Sequence, residues 1–133
     1  AFDYGLAEVA LREDVGLLAY SSLAQGYLTG KYRNGALPEG ARKTLYQRLG
    51  RYEGPGGEVM VDKYVDLAAE LDLKPEQLAL KFVDQRPFVT STIIGASTMD
   101  QLISDIDAFD TEWTPEIDKA VLRLHLSHPN PCP

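Results

Sequence analysis

Apolar positions recur along the chain in two registers, one with the 3.6-residue period of an amphipathic helix and one as short unbroken runs. Leu6, Val9 and Ala10 share one face of a helix over residues 5–14. After Val15 and Gly16, the run Leu17-Leu18-Ala19-Tyr20 is continuously apolar, as a buried parallel strand would be. A helix resumes near Glu58, where Val61, Tyr64, Val65, Ala68 and Leu71 form a stripe ending around Asp72. Pro75 suits the first position of the next helix because its missing N–H would have had no intrahelical partner. Leu78, Ala79, Phe82 and Val83 form that helix's apolar face before Pro87 stops it. Residues 88–94, Phe88 to Ile94, are β-branched and apolar, a second buried strand.

Beyond Gly95, Thr98-Met99-Asp100-Gln101 reads as a capping box, with the Thr98 hydroxyl and the Gln101 amide each satisfying a backbone donor of the other residue. The helix it opens is expected to bury Leu102, Ile103, Ile106 and Phe109. Thr114 and Pro115 repeat the cap-plus-proline signal, and Ile117, Val121 and Leu124 predict a last amphipathic helix before a tail punctuated by Pro129, Pro131 and Pro133. Residues 26–57 differ from all of this: glycines and prolines are frequent, periodicity is weak, and Arg and Lys are scattered through them. Loops of that length are usually functional or mobile.

Helix, strand, long loop, two helices, strand and two helices is the alternation of an α/β protein with a parallel sheet. Two strands do not make a stable sheet, so further strands are expected from outside the chain or from another copy. The 133 residues also fall well short of the roughly 250 of a TIM barrel. The chain starts at Ala1 and not Met, and a missing upstream segment is the expectation.

Composition narrows the classes of function. With 44% hydrophobic and 25% charged residues the chain is of the soluble globular type, and no apolar run approaches the ~20 residues that span a bilayer. A net charge of -7, with the basic residues not gathered together, makes nucleic acid a poor partner. One cysteine, Cys132, cannot form an internal disulfide, and the start lacks a signal peptide, so a cytoplasmic protein is expected. No metal site is read from the sequence.

Two segments carry candidate chemistry. Tyr20-Ser21-Ser22-Leu23-Ala24-Gln25-Gly26-Tyr27-Leu28-Thr29-Gly30-Lys31-Tyr32 follows the first strand, at the end where parallel α/β proteins bind ligands. Small residues, backbone amides and a lysine suit an anionic phosphate. A Walker A loop is excluded: the spacing from Gly26 to Gly30-Lys31 is one residue short, and Tyr32 replaces the metal-binding hydroxyl. Taken alone, the same residues also fit turns beside a solvated lysine. The second segment, Ile94-Gly95-Ala96-Ser97-Thr98 with Gln101, opens directly into a helix whose N-terminus favours anions. Alone, it fits an ordinary capped start equally well.

Together, the first segment and Ile93-Ile94-Gly95-Ala96-Ser97-Thr98-Met99-Asp100-Gln101-Leu102 some sixty residues later closely resemble the aldo-keto reductases. The resemblance is nearest to the bacterial branch that includes the potassium-channel β subunits. It covers nearly the whole chain, including Gly40-Ala41-Arg42 and Pro75-Glu76-Gln77-Leu78-Ala79-Leu80. It implies the C-terminal portion of a (β/α)8 TIM barrel, a partial aldo-keto reductase domain over residues 1–133 containing strands seven and eight with their surrounding helices. It also implies an NADP(H)-binding half of an enzyme that reduces aldehydes or ketones. By the same resemblance, Tyr20 matches the aromatic stacked on the nicotinamide. Ser21, Leu23, Gln25 and Gly26 match the pyrophosphate wrap, Lys31 and Arg42 a basic belt folded over it, and Gly95, Ser97 and Gln101 the 2′-phosphate and adenosine end. Asp105 departs from the usual Asn that contacts the adenine amine, placing a negative charge near a phosphate. Ser22 stands where many members have Pro.

The family's acid Tyr and the Lys, Asp and His around it belong to earlier strands, and nothing here replaces them. His125 and His128 fall in the last helix and tail and are expected to be exposed. Tyr4, Tyr46 and Tyr52 lie in irregular stretches, and Cys132 reads as an exposed, incidental thiol. Three readings follow: half of a reductase for a small carbonyl substrate; a non-catalytic half-barrel that self-associates and binds NADP(H) as a sensor; or an interaction module without cofactor. In the first, the loop over residues 26–57 is expected to be mobile when empty and to close on the cofactor.

Overall fold

The protein is described from a computed structural model that covers residue 2 and residues 5–46, 50–129 and 131–132. Tyr4 lies outside the described residues. In chain order the elements are α1 (Leu6–Arg12), β1 (Leu17–Ala19), α2 (Arg42–Tyr46), α3 (Pro55–Glu70), α4 (Pro75–Asp84), β2 (Val89–Thr92), α5 (Met99–Asp107) and α6 (Pro115–Ser127), with short 3₁₀ turns between them. The expected alternation is present. The long excursion is more structured than its composition predicts, holding 3₁₀ turns at Ala24–Thr29, Arg33–Gly35 and Gly50–Tyr52 besides α2.

β1 and β2 pair in parallel, Leu18 opposite Ser91 and Ala19 opposite Thr92, with an irregularity between Leu17 and Leu18. Pairing runs one residue past β2 at either end, because Leu17 N–H donates to Phe88 O at 3.0 Å and Ile93 N–H to Ala19 O at 2.8 Å. That register brings Tyr20 and Ile94 to the same end of the sheet, so the segments that follow them start side by side.

The larger core sits among helices, not on the sheet. Ala68 of α3, Leu78 of α4 and Ile117 and Val121 of α6 are buried, with Tyr64, Phe82 and Trp113 packed against them. All but Trp113 come from the stripes that periodicity marks. Arg86 closes this core at the end of α4: its guanidinium donates to Asp118 at 2.6 Å and lies 4.2 Å from the Phe82 ring centre, while Trp113 Nε1 donates to the same carboxylate oxygen. Proline at the first turn and a side-chain cap start α6 as expected, with Ile117 N–H donating to Thr114 Oγ1 at 3.3 Å.

Several apolar side chains of α1, β1 and α5 are uncovered. Leu6, Val9, Leu18, Tyr20, Ile103 and Ile106 are each more than half exposed. Three expectations are corrected here. The two strands read as buried are not, since Leu18, Tyr20 and Ile93 are exposed. α5 keeps its amphipathic stripe, yet only Leu102 and Phe109 of the four apolar positions expected to be buried are partly covered, and Ala108 and Asp105 take the buried places. In α1, Ala7 and Ala10 turn inward while Leu6 and Val9 face out. Periodicity identifies a face, but burial needs something opposite it.

The tail is also corrected. Cys132 is half-buried, with burial pushing its thiol pKa up, and its sulfur would lie 3.0 Å from a Cβ at Gly57. A Cβ at Gly57 would also strike the Tyr52 carbonyl, so only glycine admits the tail beside the start of α3. His125 and His128 are likewise half-buried, with His128 Nδ1 2.9 Å from Ser127 Oγ.

Candidate nucleotide site

The chain leaves β1 through a run of left-handed backbone. Ser21 (φ 57°), Ala24 (φ 48°), Gln25 (φ 57°) and Gly26 (φ 97°) all have positive φ within six residues. For L-residues this conformation costs roughly 1–2 kcal/mol each, and such strain collects where backbone must approach a ligand. Three backbone bonds hold the turn, from Ala24 N–H to Ser21 O, Gly26 N–H to Leu23 O and Leu28 N–H to Leu23 O.

Lys31 folds back into that turn. A Cβ at Gly26 would stand 2.6 Å from Lys31 Cε and 2.8 Å from Nζ, so φ favours glycine there and any side chain would displace the flexible lysine tip from its path. The ammonium sits 5.2 Å from the Tyr32 ring centre and has no carboxylate ion pair among the described residues. Asp105 reaches the same neighbourhood from α5. It is 5% exposed, accepts no hydrogen bond among the described residues, and its pKa is pushed up by burial and by Glu76, with Lys31 opposing. Glu76 itself accepts from Ser104 Oγ at 3.1 Å.

Below the turn lies a small aromatic core. Tyr27 and Tyr32 are buried, with ring centres 4.9 Å apart, and Tyr52 stacks on Tyr27 at 5.5 Å. Neither Glu53 nor Lys43 has any signal in the sequence, yet both reach this core. Tyr27 OH donates to Glu53 Oε1 at 2.6 Å and Lys43 Nζ lies 3.1 Å from the same oxygen.

At the end of β2 the cap differs from the expected box in one bond. Gln101 N–H donates to Thr98 Oγ1 at 3.2 Å as expected, but the Gln101 amide oxygen accepts from Ser97 N–H at 2.9 Å and not from Thr98. Ser97 and Gln101 are thereby held together, and both are exposed, as is Gly95. Of the remaining positions singled out by sequence, Tyr20 is 72% exposed at the sheet end, Ser21, Leu23 and Gln25 are partly covered in the strained turn, and Arg42 is exposed at the first position of α2. The structure therefore groups Gly26, Lys31 and Asp105, keeps Ser97 and Gln101 together in a second cluster, and leaves Arg42 outside both. Among the described residues no cluster of His, Cys, Asp and Glu is suited to a metal ion, and no helix is long and apolar enough to cross a membrane.

Parallel strands whose ends lead into a strained, lysine-bearing turn and a capped helix start define an α/β protein, and comparison with known proteins identifies which. The sequence model of the Aldo/keto reductase family matches residues 2–121, and the chain belongs to that family. It is 47% identical to Protein tas of Escherichia coli strain K12 over all 133 residues, which are 38% of that protein. It is 35% identical over 113 residues to a putative voltage-gated potassium channel subunit beta of Schizosaccharomyces pombe, covering 80% of this chain and 33% of that one. Among solved structures, glycerol dehydrogenase from Gluconobacter oxydans superposes with a TM-score of 0.72 at 24% identity, over 99% of this chain and 40% of that one. The fold is thus a portion of an aldo/keto reductase TIM barrel, and the chain spans well under half the length of these relatives.

Proposed function

We propose that this chain supplies the NADP(H)-binding part of an aldo-keto reductase acting on a small aldehyde or ketone. The observation that carries the reading is the strained turn over residues 21–26, with Lys31 laid across Gly26 and left without an acidic ion-pair partner. A strained turn and an ammonium without a carboxylate ion pair among the described residues fit a pyrophosphate. When bound, the nicotinamide supplies a hydride to the carbonyl carbon. Tyr20, exposed at the sheet end, is placed to stack on the nicotinamide ring, and Ser21, Leu23, Gln25 and Gly26 to wrap the phosphates. Lys31 neutralises phosphate charge, Arg42 joins it from the belt, and Gly95, Ser97, Gln101 and Asp105 take the adenosine end.

None of these residues is suited to protonating the carbonyl oxygen, so the general acid is assigned to barrel strands outside this chain. The uncovered residues Leu6, Val9, Leu18, Ile103 and Ile106 are where those strands and their helices would pack. A cytoplasmic setting accords with this reading. Fluorescence titration with NADPH tests it: saturable quenching or blue-shift of nicotinamide emission is expected, and its loss in Lys31→Ala. Absence of any change at millimolar protein would reject nucleotide binding and leave the self-associating half-barrel, which the same exposed face would favour.

A further inference from the structure

Three parts of the excursion between β1 and α3 meet at one carboxylate oxygen. Glu53 Oε1 accepts from Tyr27 OH at 2.6 Å and lies 3.1 Å from Lys43 Nζ, so residues near its start, middle and end are tied at a single point. The Lys43 ammonium also lies 5.3 Å from the Tyr27 ring centre and 5.8 Å from that of Tyr32, and Lys43 N–H donates to Tyr32 OH at 3.3 Å. Each group answers more than one partner, and the Lys43 side chain is only 18% exposed.

We infer that Glu53 is the latch of this excursion, holding it closed over the turn before any ligand arrives and positioning Lys31 through Tyr32. The Lys31 ammonium rests 5.2 Å from the same Tyr32 ring that Lys43 braces, so releasing Glu53 frees Lys43, then Tyr32, then the surface against which Lys31 lies. The excursion is thus a strap already fastened at residues 27, 43 and 53, in place of a loop that orders only on binding. Nothing in this depends on the identity of the ligand, although the consequence for Lys31 rests on the proposed nucleotide site.

The test compares the wild-type chain with Glu53→Gln, Glu53→Ala and Lys43→Gln by chymotrypsin cleavage after the exposed Leu45 and Tyr46, without nucleotide. Circular dichroism confirms that each variant is folded, and Glu53→Gln, which keeps an acceptor for Tyr27, guards against misfolding of the alanine variant. Cleavage is expected to quicken roughly tenfold in Glu53→Ala and less in Glu53→Gln, because cleavage follows the population of the open form. Glu53→Ala with Lys43→Gln should be no faster than Glu53→Ala alone, as members of one unit are not additive. Equal cleavage of folded wild type and Glu53→Ala overturns the latch. NADPH binding is read separately: a wild type that binds, with a several-fold weaker Glu53→Ala, supports the positioning of Lys31, and equal affinity overturns that positioning. Failure of wild type to bind rejects the proposed nucleotide site and the role of Lys31 with it, while the cleavage ratio still decides the latch.

Discussion

Arg33 joins the excursion to α3 through a fork: its Nε donates to Asp62 Oδ1 at 2.7 Å and its terminal nitrogen to Asp66 at 3.0 Å. Asp62 and Asp66 are one helical turn apart and so present their carboxylates to one guanidinium. The pairs are solvent-accessible, and exposed ion pairs contribute little to global stability. Their effect is local. Arg33→Met is expected to leave the melting temperature nearly unchanged while hydrogen exchange speeds up across residues 33–46. Raising salt should reproduce part of that increase in the wild type but not in the variant. Exchange measured by mass spectrometry on peptides from this stretch checks both.

Gly26→Ala tests the strained turn directly. At φ 97° an alanine is in a region L-residues avoid, and its methyl would meet Lys31 Cε at 2.6 Å. A loss of about 1–3 kcal/mol is expected, seen as a lower urea midpoint with an unchanged slope. Lys31 can yield because it is flexible, so NADPH affinity should fall further than stability alone accounts for. Gly35→Ala, also at positive φ but with open space around its would-be Cβ, isolates the conformational part.

Local chemistry is what the sequence makes legible. The hydroxyl caps at Thr98 and Thr114, the proline starts of α4 and α6 and the helix stripes of α3 and α4 depend on neighbours within a turn, and the structure has them as read apart from the return bond of Gln101, which goes to Ser97. The segments after both strands stand out in the sequence through a resemblance, because their residue types recur throughout a family. Ile103 and Ile106 show the limit: their spacing marks an apolar face, but none of the described elements covers it. Glu53 shows another. Its partner Tyr27 is 26 positions away across a stretch without periodicity, and no pattern in the sequence links them. The excursion accordingly read as an open loop, whereas buried tyrosines and one shared carboxylate hold it. Cys132 read as exposed for the same reason, since its neighbour Gly57 is distant in sequence.

Asp105→Asn should stabilise the protein at neutral pH. Burial first, then the Glu76 charge, holds the Asp105 carboxyl above the usual carboxylate range, and Lys31 offsets only part of this. A carboxyl whose pKa is raised on folding favours the folded state below its unfolded value, and that advantage is lost as pH rises through the raised value. The ionised group is thus a cost at pH 7 that Asn does not carry. The melting temperature is expected to rise by a few degrees at pH 7. The gain should vanish below about pH 4, where an unfolded aspartate is itself mostly protonated. Asp118 has the opposite sign, because the Arg86 hydrogen bond holds it low, so its contribution is present at neutral pH and lost on acidification. A melting series from pH 3 to 8 on wild type, Asp105→Asn and Asp118→Asn separates the two.

Ser97→Glu addresses the choice of cofactor. Ser97 is exposed in the loop before α5, and its backbone N–H, not its hydroxyl, bonds Gln101 at 2.9 Å, so a longer side chain leaves the loop's own hydrogen bond in place. A carboxylate there would face the 2′-phosphate of NADPH but only a hydroxyl in NADH. Like charges about 4 Å apart near a surface repel by a few kcal/mol at most. Affinity for NADPH is therefore expected to fall roughly tenfold or more, with NADH binding little changed. Ser97→Ala, which removes one hydroxyl without adding charge, should lower NADPH affinity by less. Isothermal titration of both nucleotides against the three proteins decides the matter: an NADPH affinity untouched by the glutamate would remove Ser97 from the site and move the 2′-phosphate away from the start of α5.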